Sequence, residues 1–213
     1  MKSKKDVKEI IKILKETYPE AECSLDFSNP FQMAVAVLLS AQCTDARVNI
    51  VTKELFKVAP TAEEMNKLTV KEIEKYISSC GLYKTKAKNI KGLAEMVMNT
   101  YNGEIPDTME ELVKLPGIGR KSANVVMLEA FHNPQGVAID THAKRICNRI
   151  GISKEESPEK IEQDLLKKID KYEYFDANHL CVWHGRYTCK ARKPECERCT
   201  ITKYCNYFKI KNI

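Results

Sequence analysis

The chain has 213 residues, of which 43% are hydrophobic and 30% charged, a composition that excludes a disordered polypeptide. Its 35 Lys and Arg exceed its 29 Asp and Glu, and the net charge of +6 is compatible with a polyanionic partner. The longest apolar run, residues 33–39, is far too short to span a membrane, and the charged segment 1–15 lacks the apolar stretch of a signal peptide, so we expect a cytoplasmic protein.

Helical periodicity runs through almost the whole sequence. Val7, Ile10 and Leu14 share one face of a first helix, and segment 31–42 is apolar nearly all round, which predicts a buried helix. Further helices are predicted at 45–57, 70–78, 84–100, 108–114, 119–131, 141–150, 157–169 and 175–184. No useful alternating pattern predicts a strand, so the fold class is all-α. The turn at residues 133–136 is the best candidate for a crossing between two lobes.

Residues 115–121, with the sequence LPGIGRK, predict a tight helical hairpin. Pro116 cannot continue the preceding helix, and Gly117 and Gly119 permit a sharp reversal with positive φ. Ile118 can pack between the two helices. The free N–H groups of the next helix would favour an anion such as a DNA phosphate. An ordinary turn between helices with a glycine cap is the alternative.

Arg120 and Lys121 fall in the first turn of that next helix, where the dipole disfavours cations. The dipole, the neighbouring Arg120 and partial burial would all disfavour the protonated amine of Lys121, and a neutral amine is a nucleophile that can form a Schiff base. Asp140 follows an apolar stretch at the start of another helix. It could accept the lysine proton or stabilise a developing cation, although spacing alone favours a simple N-cap.

Four of the nine cysteines, Cys189, Cys196, Cys199 and Cys205, are crowded near the C-terminus, which predicts a metal site in a reducing cytosol. Four thiolates can hold an iron–sulfur cluster or one zinc ion. Because the array contains a single Cys-x-x-Cys pair, its longer arms favour the cluster. The five scattered cysteines are expected to be small buried apolar residues.

Between the first two of these cysteines lie three cations, Lys190, Arg192 and Lys193. A loop fixed at both ends by metal ligands would present them rigidly to phosphates. A solvated charge run is the alternative. Because one chain carries two separate candidate phosphate-binding sites, the hairpin and this loop, DNA is the simplest ligand that explains both.

Together, residues 38–45, the hairpin of residues 115–126 and the Cys-x6-Cys-x2-Cys-x5-Cys array resemble the endonuclease III family of helix–hairpin–helix DNA glycosylases. The resemblance covers nearly the whole chain and implies two helical lobes with DNA bound across a cleft. One lobe would be a six-helix barrel at 25–134, and the other, at 1–24 plus 135–213, would hold a [4Fe–4S] cluster on the four cysteines.

The resemblance also implies an activity on duplex DNA that contains oxidised or saturated pyrimidines, with the damaged base flipped out of the stack. Lys121 would attack the sugar C1′, expel the base and form a Schiff base, and β-elimination would cut the strand. Asp140 would activate the lysine or stabilise the sugar cation. Gln42 would fill the gap left by the flipped base, and Leu82 would act as a second wedge. The protein would work as a monomer at nucleoid DNA.

Two other functions are weighed against this one. A monofunctional relative, such as an adenine-specific mismatch glycosylase, would lack a lysine at the position of Lys121. A non-catalytic iron–sulfur DNA-binding protein would keep the hairpin and the cysteines but would not need the pair of Lys121 and Asp140.

Overall fold

The computed structural model describes residues 1–211. Its helices are, in chain order, α1 Lys4–Thr17, α2 Pro30–Ser40, α3 Asp45–Val58, α4 Ala62–Lys67, α5 Val70–Ile77, α6 Tyr83–Thr100, α7 Met109–Leu112, α8 Arg120–Glu129, α9 Thr141–Ile150, α10 Pro158–Leu166, α11 Tyr174–Tyr187 and α12 Asn206–Lys211. Three short 3-10 helices lie at Lys171–Glu173, Cys196–Arg198 and Thr202–Tyr204. Over this range no β-strand occurs, which confirms the all-α prediction.

The chain divides into two compact units, Ser24–Asn133 and a second unit made of Met1–Cys23 together with the chain from Pro134 onward. The second boundary therefore falls inside the predicted turn at 133–136. None of the helices in residues 1–211 is both long and apolar enough to cross a membrane.

The unit Ser24–Asn133 is built around α2. Every residue from Phe31 to Leu39 is buried, as the all-round apolar pattern predicts, and α2 packs against α3, α6 and α8. Helix α6 also packs against α4 and α5. The carboxyl end of α2, the start of α6 and the hairpin before α8 therefore belong to one packed body.

In the other unit, α11 packs against α1 and α9, and α9 also contacts α10 and α12. Its core contains the predicted face of α1, with Val7, Ile10, Ile11 and Leu14 all buried. Ile146 and Ile150 supply the apolar stripe of α9 to the same core.

Most helix starts follow from local side-chain chemistry. Asn29, Thr44, Thr69 and Thr108 each accept a hydrogen bond from a backbone N–H of the first turn that they precede. Helices α6 and α8 begin differently, since neither N-cap residue makes a side-chain cap hydrogen bond. Both of these N-caps, Leu82 and Gly119, are predicted DNA-binding residues.

Some predicted helix boundaries were wrong. Helix α4 was not predicted at all, and α7 has four residues where seven were expected. Of the five scattered cysteines, Cys80, Cys147 and Cys181 are buried as expected, whereas Cys23 and Cys43 are only half-buried.

Candidate active site and metal-binding loop

The predicted hairpin joins α7 to α8 and is anchored by buried side chains. Leu115 and Ile118 are 2% and 3% exposed, and the Ile118 N–H donates to the Leu115 carbonyl at 3.0 Å. Gly117 has φ of +80°, and a Cβ at this position would lie 2.7 Å from Leu38 Cδ1. Only glycine fits here, because both the left-handed backbone and the contact with α2 exclude a side chain.

Gly119 is conformationally unlike Gly117. Its φ is −92°, so the predicted positive φ was wrong for this residue. A Cβ added to Gly119 would meet no atom within 4 Å. Gly119 is the N-cap of α8, and its missing side chain leaves open space beside the first N–H groups of that helix. Such a terminus is suited to an anion.

Lys121 lies in the first turn of α8, next to Arg120, and both side chains are exposed. The predicted partial burial of Lys121 was therefore wrong. Exposure places the amine where a large substrate can reach it, beside the N-terminal end of α8 and the adjacent Arg120 guanidinium.

Asp140 is the N-cap of α9. Its Oδ1 accepts hydrogen bonds from the backbone N–H groups of His142 and Ala143, both at 2.8 Å. The capping role that spacing favoured is thus present. Because both bonds go to Oδ1, the cap does not use Oδ2, and the carboxylate can cap the helix and act on another group at once.

The two predicted wedge residues share an unusual backbone conformation. Gln42 has φ of 55° and Leu82 has φ of 57°, in the left-handed region that non-glycine residues rarely adopt. Both are exposed, Leu82 to 62%. A Cβ on Gly81 would lie 3.4 Å from the Gln42 carbonyl oxygen, so the two segments run side by side. Strained residues of this kind concentrate at functional sites.

The four clustered cysteines line one open pocket. The pKa of Cys199 is raised to about 11, first by burial and then by the thiols of Cys205, Cys189 and Cys196. Burial and neighbouring thiols also raise the pKa of Cys196. Because each thiol here opposes the ionisation of the others, four thiolates in this pocket need a bound cationic group to balance their negative charge. The thiols are therefore suited to hold such a group.

Across the described part of the chain, no three His, Cys, Asp or Glu side chains are grouped so that they could hold a single metal ion. A [4Fe–4S] cluster does not need such convergence, because each of its four irons takes one cysteine. The pocket lined by four separate thiols fits that donor arrangement.

Two arginines of α9 hold the loop that begins at Cys189. Arg145 Nε donates to the Cys189 carbonyl at 2.9 Å, and Arg149 donates to the carbonyls of Lys190 at 2.7 Å and Ala191 at 3.0 Å. Arg149 also lies 3.4 Å from Cys189 Sγ. The loop is therefore positioned by helix α9 in addition to any bound cluster.

The predicted basic residues of this loop are not equivalent. Lys190, Arg192 and Lys193 are all exposed, but Lys190 is ion-paired with Glu195, which also pairs with Arg198. Within residues 1–211, Arg192 and Lys193 make no hydrogen bond or ion pair, so their charges are available to a ligand. The sequence interpretation overlooked Glu195.

Comparison with known proteins identifies the family. Residues 35–171 match the HhH-GPD superfamily of base excision DNA repair proteins, and residues 189–205 match the iron–sulfur binding domain of endonuclease III. Endonuclease III of Synechocystis sp. is 46% identical over 206 residues, covering 96% of this chain and 94% of that protein. The Escherichia coli K12 enzyme is 43% identical over 199 residues, covering 93% and 94%. The chain belongs to the endonuclease III family.

Solved endonuclease III structures agree with this assignment. A trapped endonuclease III–DNA covalent intermediate matches with a TM-score of 0.94 and 41% identity over 100% of both chains. A thermostable thymine-DNA glycosylase, 24% identical, shares the fold with a TM-score of 0.87.

As an endonuclease III family member, the protein is a DNA-binding base excision repair enzyme, a DNA glycosylase and lyase, which confirms the predicted activity class. The predicted [4Fe–4S] cofactor is also confirmed, through the match of residues 189–205 to the family's iron–sulfur binding domain.

Sequence reasoning missed further residues that support these sites. Lys86 is 4% exposed and donates to the carbonyls of Leu39 at 2.9 Å and Ala41 at 2.6 Å, immediately before Gln42. His184 is 2% exposed and lines the cysteine pocket, and burial together with the charge of Arg145 lowers its pKa to about 4. No local pattern marks either residue, because their partners are distant in sequence.

Proposed function

We propose that this endonuclease III family member removes oxidised or saturated pyrimidines from duplex DNA and cleaves the resulting abasic strand through a Schiff base on Lys121. The observation that carries the proposal is the exposed amine of Lys121 in the first turn of α8, beside the open approach at Gly119. The existence of a trapped covalent intermediate of endonuclease III with DNA supports a nucleophilic mechanism for this chain.

In this reaction the neutral Lys121 amine attacks the sugar C1′, and the base leaves with the bonding electrons and takes up a proton. The nitrogen loses a proton, the C1′–O4′ bond breaks with its electrons passing to O4′, which takes up a proton, and the nitrogen lone pair forms the C1′=N bond of the Schiff base. Loss of a C2′ proton then expels the 3′ phosphate by β-elimination, and water hydrolyses the imine. Asp140 accepts the lysine proton or stabilises the cationic sugar, with its Oδ1 engaged by the α9 cap.

Lys121 belongs to one compact unit and Asp140 to the other. The proposal therefore requires both units to act on the same nucleotide. It assigns residues 25–134 to a six-helix barrel and residues 1–24 plus 135–213 to a cluster-binding lobe. Action as a monomer on nucleoid DNA in the cytoplasm is part of the same proposal.

The DNA contacts are assigned to three places. The hairpin glycines Gly117 and Gly119, with Arg120, would bind a phosphate at the start of α8. Gln42 and Leu82, both exposed with left-handed backbone, would enter the space vacated by the flipped base.

The third place is the basic loop, where Arg192 and Lys193 would contact phosphates and Lys190 would contribute less because of Glu195. Cys189, Cys196, Cys199 and Cys205 would hold the cluster. When bound, the cluster joins the four cysteine thiolates and so fixes this loop, and it takes no part in base release.

Reductive trapping tests the proposal. The purified holoprotein is mixed with a duplex containing one thymine glycol in the presence of borohydride, which reduces a Schiff base to a stable adduct. We expect a covalent protein–DNA band that requires the lesion and is absent from Lys121→Ala and from Lys121→Arg, which keeps the charge but cannot form an imine. Lys154→Ala, an exposed lysine outside the proposed site, should trap normally.

No adduct with intact cluster absorbance and intact DNA binding would overturn the Schiff base. Release of free base in that case would identify a monofunctional glycosylase, and no release would identify a non-catalytic DNA-binding protein. An adduct that persists in both Lys121 variants would place the nucleophile on another amine.

A further inference from the structure

Two cysteines outside the metal-binding loop are neighbours in the fold. Cys43 lies in the segment between α2 and α3, and Cys80 follows α5, yet the two residues adjacent to them, Gln42 and Gly81, pack together, and the Cys43 thiol is near enough to raise the pKa of Cys80. Neither forms a disulfide. A pair of neighbouring thiols from different segments can react with each other, which a single cysteine cannot do.

The backbone around the two cysteines holds their segments next to each other. The Cys43 N–H donates to the Ser40 carbonyl at 3.1 Å, and the Cys80 N–H donates to the Ile77 carbonyl at 2.9 Å, so each cysteine lies in a turn closed onto its preceding helix. The adjacent residues Gln42 and Gly81 also approach each other, as the 3.4 Å separation described above shows. The thiols are neighbours because the two segments are packed together.

The two thiols differ in accessibility. Cys43 is half-buried, whereas Cys80 is 2% exposed. Burial raises the pKa of Cys80 to about 11, and the neighbouring Cys43 thiol adds to the shift, while the charges of Lys86 and Arg47 oppose it. Cys80 is therefore protonated and shielded at neutral pH, and an oxidant in solution reaches Cys43 first.

We propose that Cys43 and Cys80 form a redox modification site, at which a small-molecule disulfide converts the two thiols into one intramolecular disulfide. The Cys43 thiolate attacks one sulfur of the small disulfide, which gives a mixed disulfide and releases one small thiolate. Cys80 then attacks the Cys43 sulfur, gives its proton to the solvent and releases the second small thiolate. Two protein thiols are oxidised and one small disulfide is reduced.

The chain contains a second thiol pair that serves as an internal control. Cys147 on α9 and Cys181 on α11 are also neighbours, because these two helices pack together, but they are 0% and 9% exposed. The neighbouring Cys147 thiol, and then burial, raise the pKa of Cys181 well above its ordinary value. Because neither member of this pair is accessible, a small disulfide should leave it reduced while the protein is folded.

The test exposes the anaerobic holoprotein to oxidised glutathione, blocks the remaining thiols by alkylation and identifies cross-linked peptides by mass spectrometry without reduction. We expect a disulfide between the peptides of Cys43 and Cys80, its loss on treatment with dithiothreitol, alkylated Cys147 and Cys181, and unchanged visible absorbance of the cluster. In Cys80→Ser the reaction should stop at a glutathione adduct on Cys43. In Cys43→Ser, Cys80 should stay reduced.

Equal alkylation of Cys43 with and without oxidised glutathione would overturn the proposal. So would a cross-link that forms only as the cluster absorbance is lost, because the oxidised species would then be an unfolded one. Failure of Cys80→Ser to accumulate the mixed disulfide would contradict the order of the two steps. None of these outcomes depends on DNA repair activity, so they are distinguishable from failure of the proposed function.

Discussion

The ammonium group of Lys86 donates a hydrogen bond of 2.6 Å to the carbonyl oxygen of Ala41, and a second of 2.9 Å to that of Leu39. These carbonyls are at the C-terminal end of α2, where no further helical N–H groups are available to them. The next residue is Gln42, with φ of 55°. A buried cation on α6 therefore fixes the end of α2 and the start of the segment that carries one predicted wedge residue.

Replacing Lys86 with methionine should destabilise the protein. Methionine fills a similar volume but leaves two carbonyls without their donor, and an unsatisfied buried polar group costs about 1–3 kcal/mol. Lys88→Met, on the exposed side of α6, should change the free energy of unfolding by less than about 0.5 kcal/mol. Urea unfolding of the two variants measures the difference, and equal stabilities would show that the Lys86 hydrogen bonds contribute nothing.

Alanine substitution should affect the two hairpin glycines differently, lowering stability at Gly117 and DNA affinity at Gly119. Gly117→Ala must place a Cβ 2.7 Å from Leu38 Cδ1 at φ of +80°, and we expect a loss of about 2 kcal/mol or more of stability. Gly119→Ala meets no atom within 4 Å and should cost less than about 1 kcal/mol. Its methyl group would instead occupy the approach to the α8 N-terminus, so affinity for duplex DNA should fall.

Thermal unfolding and DNA titration of both glycine variants separate the two effects. Wild-type affinity in Gly119→Ala would argue against a phosphate at the start of α8.

Asp140 can be divided into its capping and catalytic roles by two substitutions. Asp140→Asn keeps an oxygen that accepts from His142 and Ala143, and it loses the charge interaction with the helix dipole, about 0.3–1 kcal/mol. Asp140→Ala loses the cap itself, about 0.5–2 kcal/mol. Both variants should release a damaged base about 100-fold more slowly or worse, because both lack the carboxylate.

Single-turnover rates of base release and thermal unfolding midpoints, measured for both variants, separate the two roles of Asp140. If Asp140→Asn retained the wild-type rate, Asp140 would be a helix cap and nothing more.

The sequence predicted those parts of the site that depend on local constraints. The hairpin was recognisable because Gly117 and Ile118 are fixed by their own backbone and apolar character, and Asp140 because N-capping is local. Helix α4 was missed although Thr61 and Glu64 form a recognisable start signal. Lys86 could not be predicted, because its role depends on carbonyl groups 45 and 47 positions away.

The partial burial expected of Lys121 failed for a related reason. The amphipathic pattern of α8 does not reveal how the rest of the fold covers its first turn, and the side chain is exposed. The left-handed conformation expected of Gly119 failed because one positive-φ residue, Gly117, already reverses the chain.

The basic loop should show unequal contributions to DNA binding. Arg192→Gln removes an exposed cation that has no ion-pair partner within residues 1–211, so affinity should fall and the slope of log affinity against log salt should decrease in magnitude by about 1. Lys190→Gln should have a smaller effect because the Lys190 ammonium pairs with Glu195. Titrations with one duplex at several salt concentrations measure both slopes, and equal changes would mean that Glu195 does not withhold Lys190 from DNA.

His179 should make stability depend on pH. Burial lowers its pKa below the ordinary 6.5, opposed by the charge of Asp176. Below about pH 6.5 the unfolded chain therefore binds a proton that the folded protein does not. The stability that the neutral His179 ring contributes is complete above that pH, and it is lost as the pH falls, by at most about 1.4 kcal/mol per pH unit.

Thermal midpoints measured between pH 7.5 and 5.5 should fall less steeply for His179→Gln than for the wild type. His132→Asn, at an exposed histidine with φ of 50°, is the control and should follow the wild-type profile. Parallel profiles for His179→Gln and the wild type would mean that the buried ring takes up its proton as readily in the folded protein as in the unfolded chain.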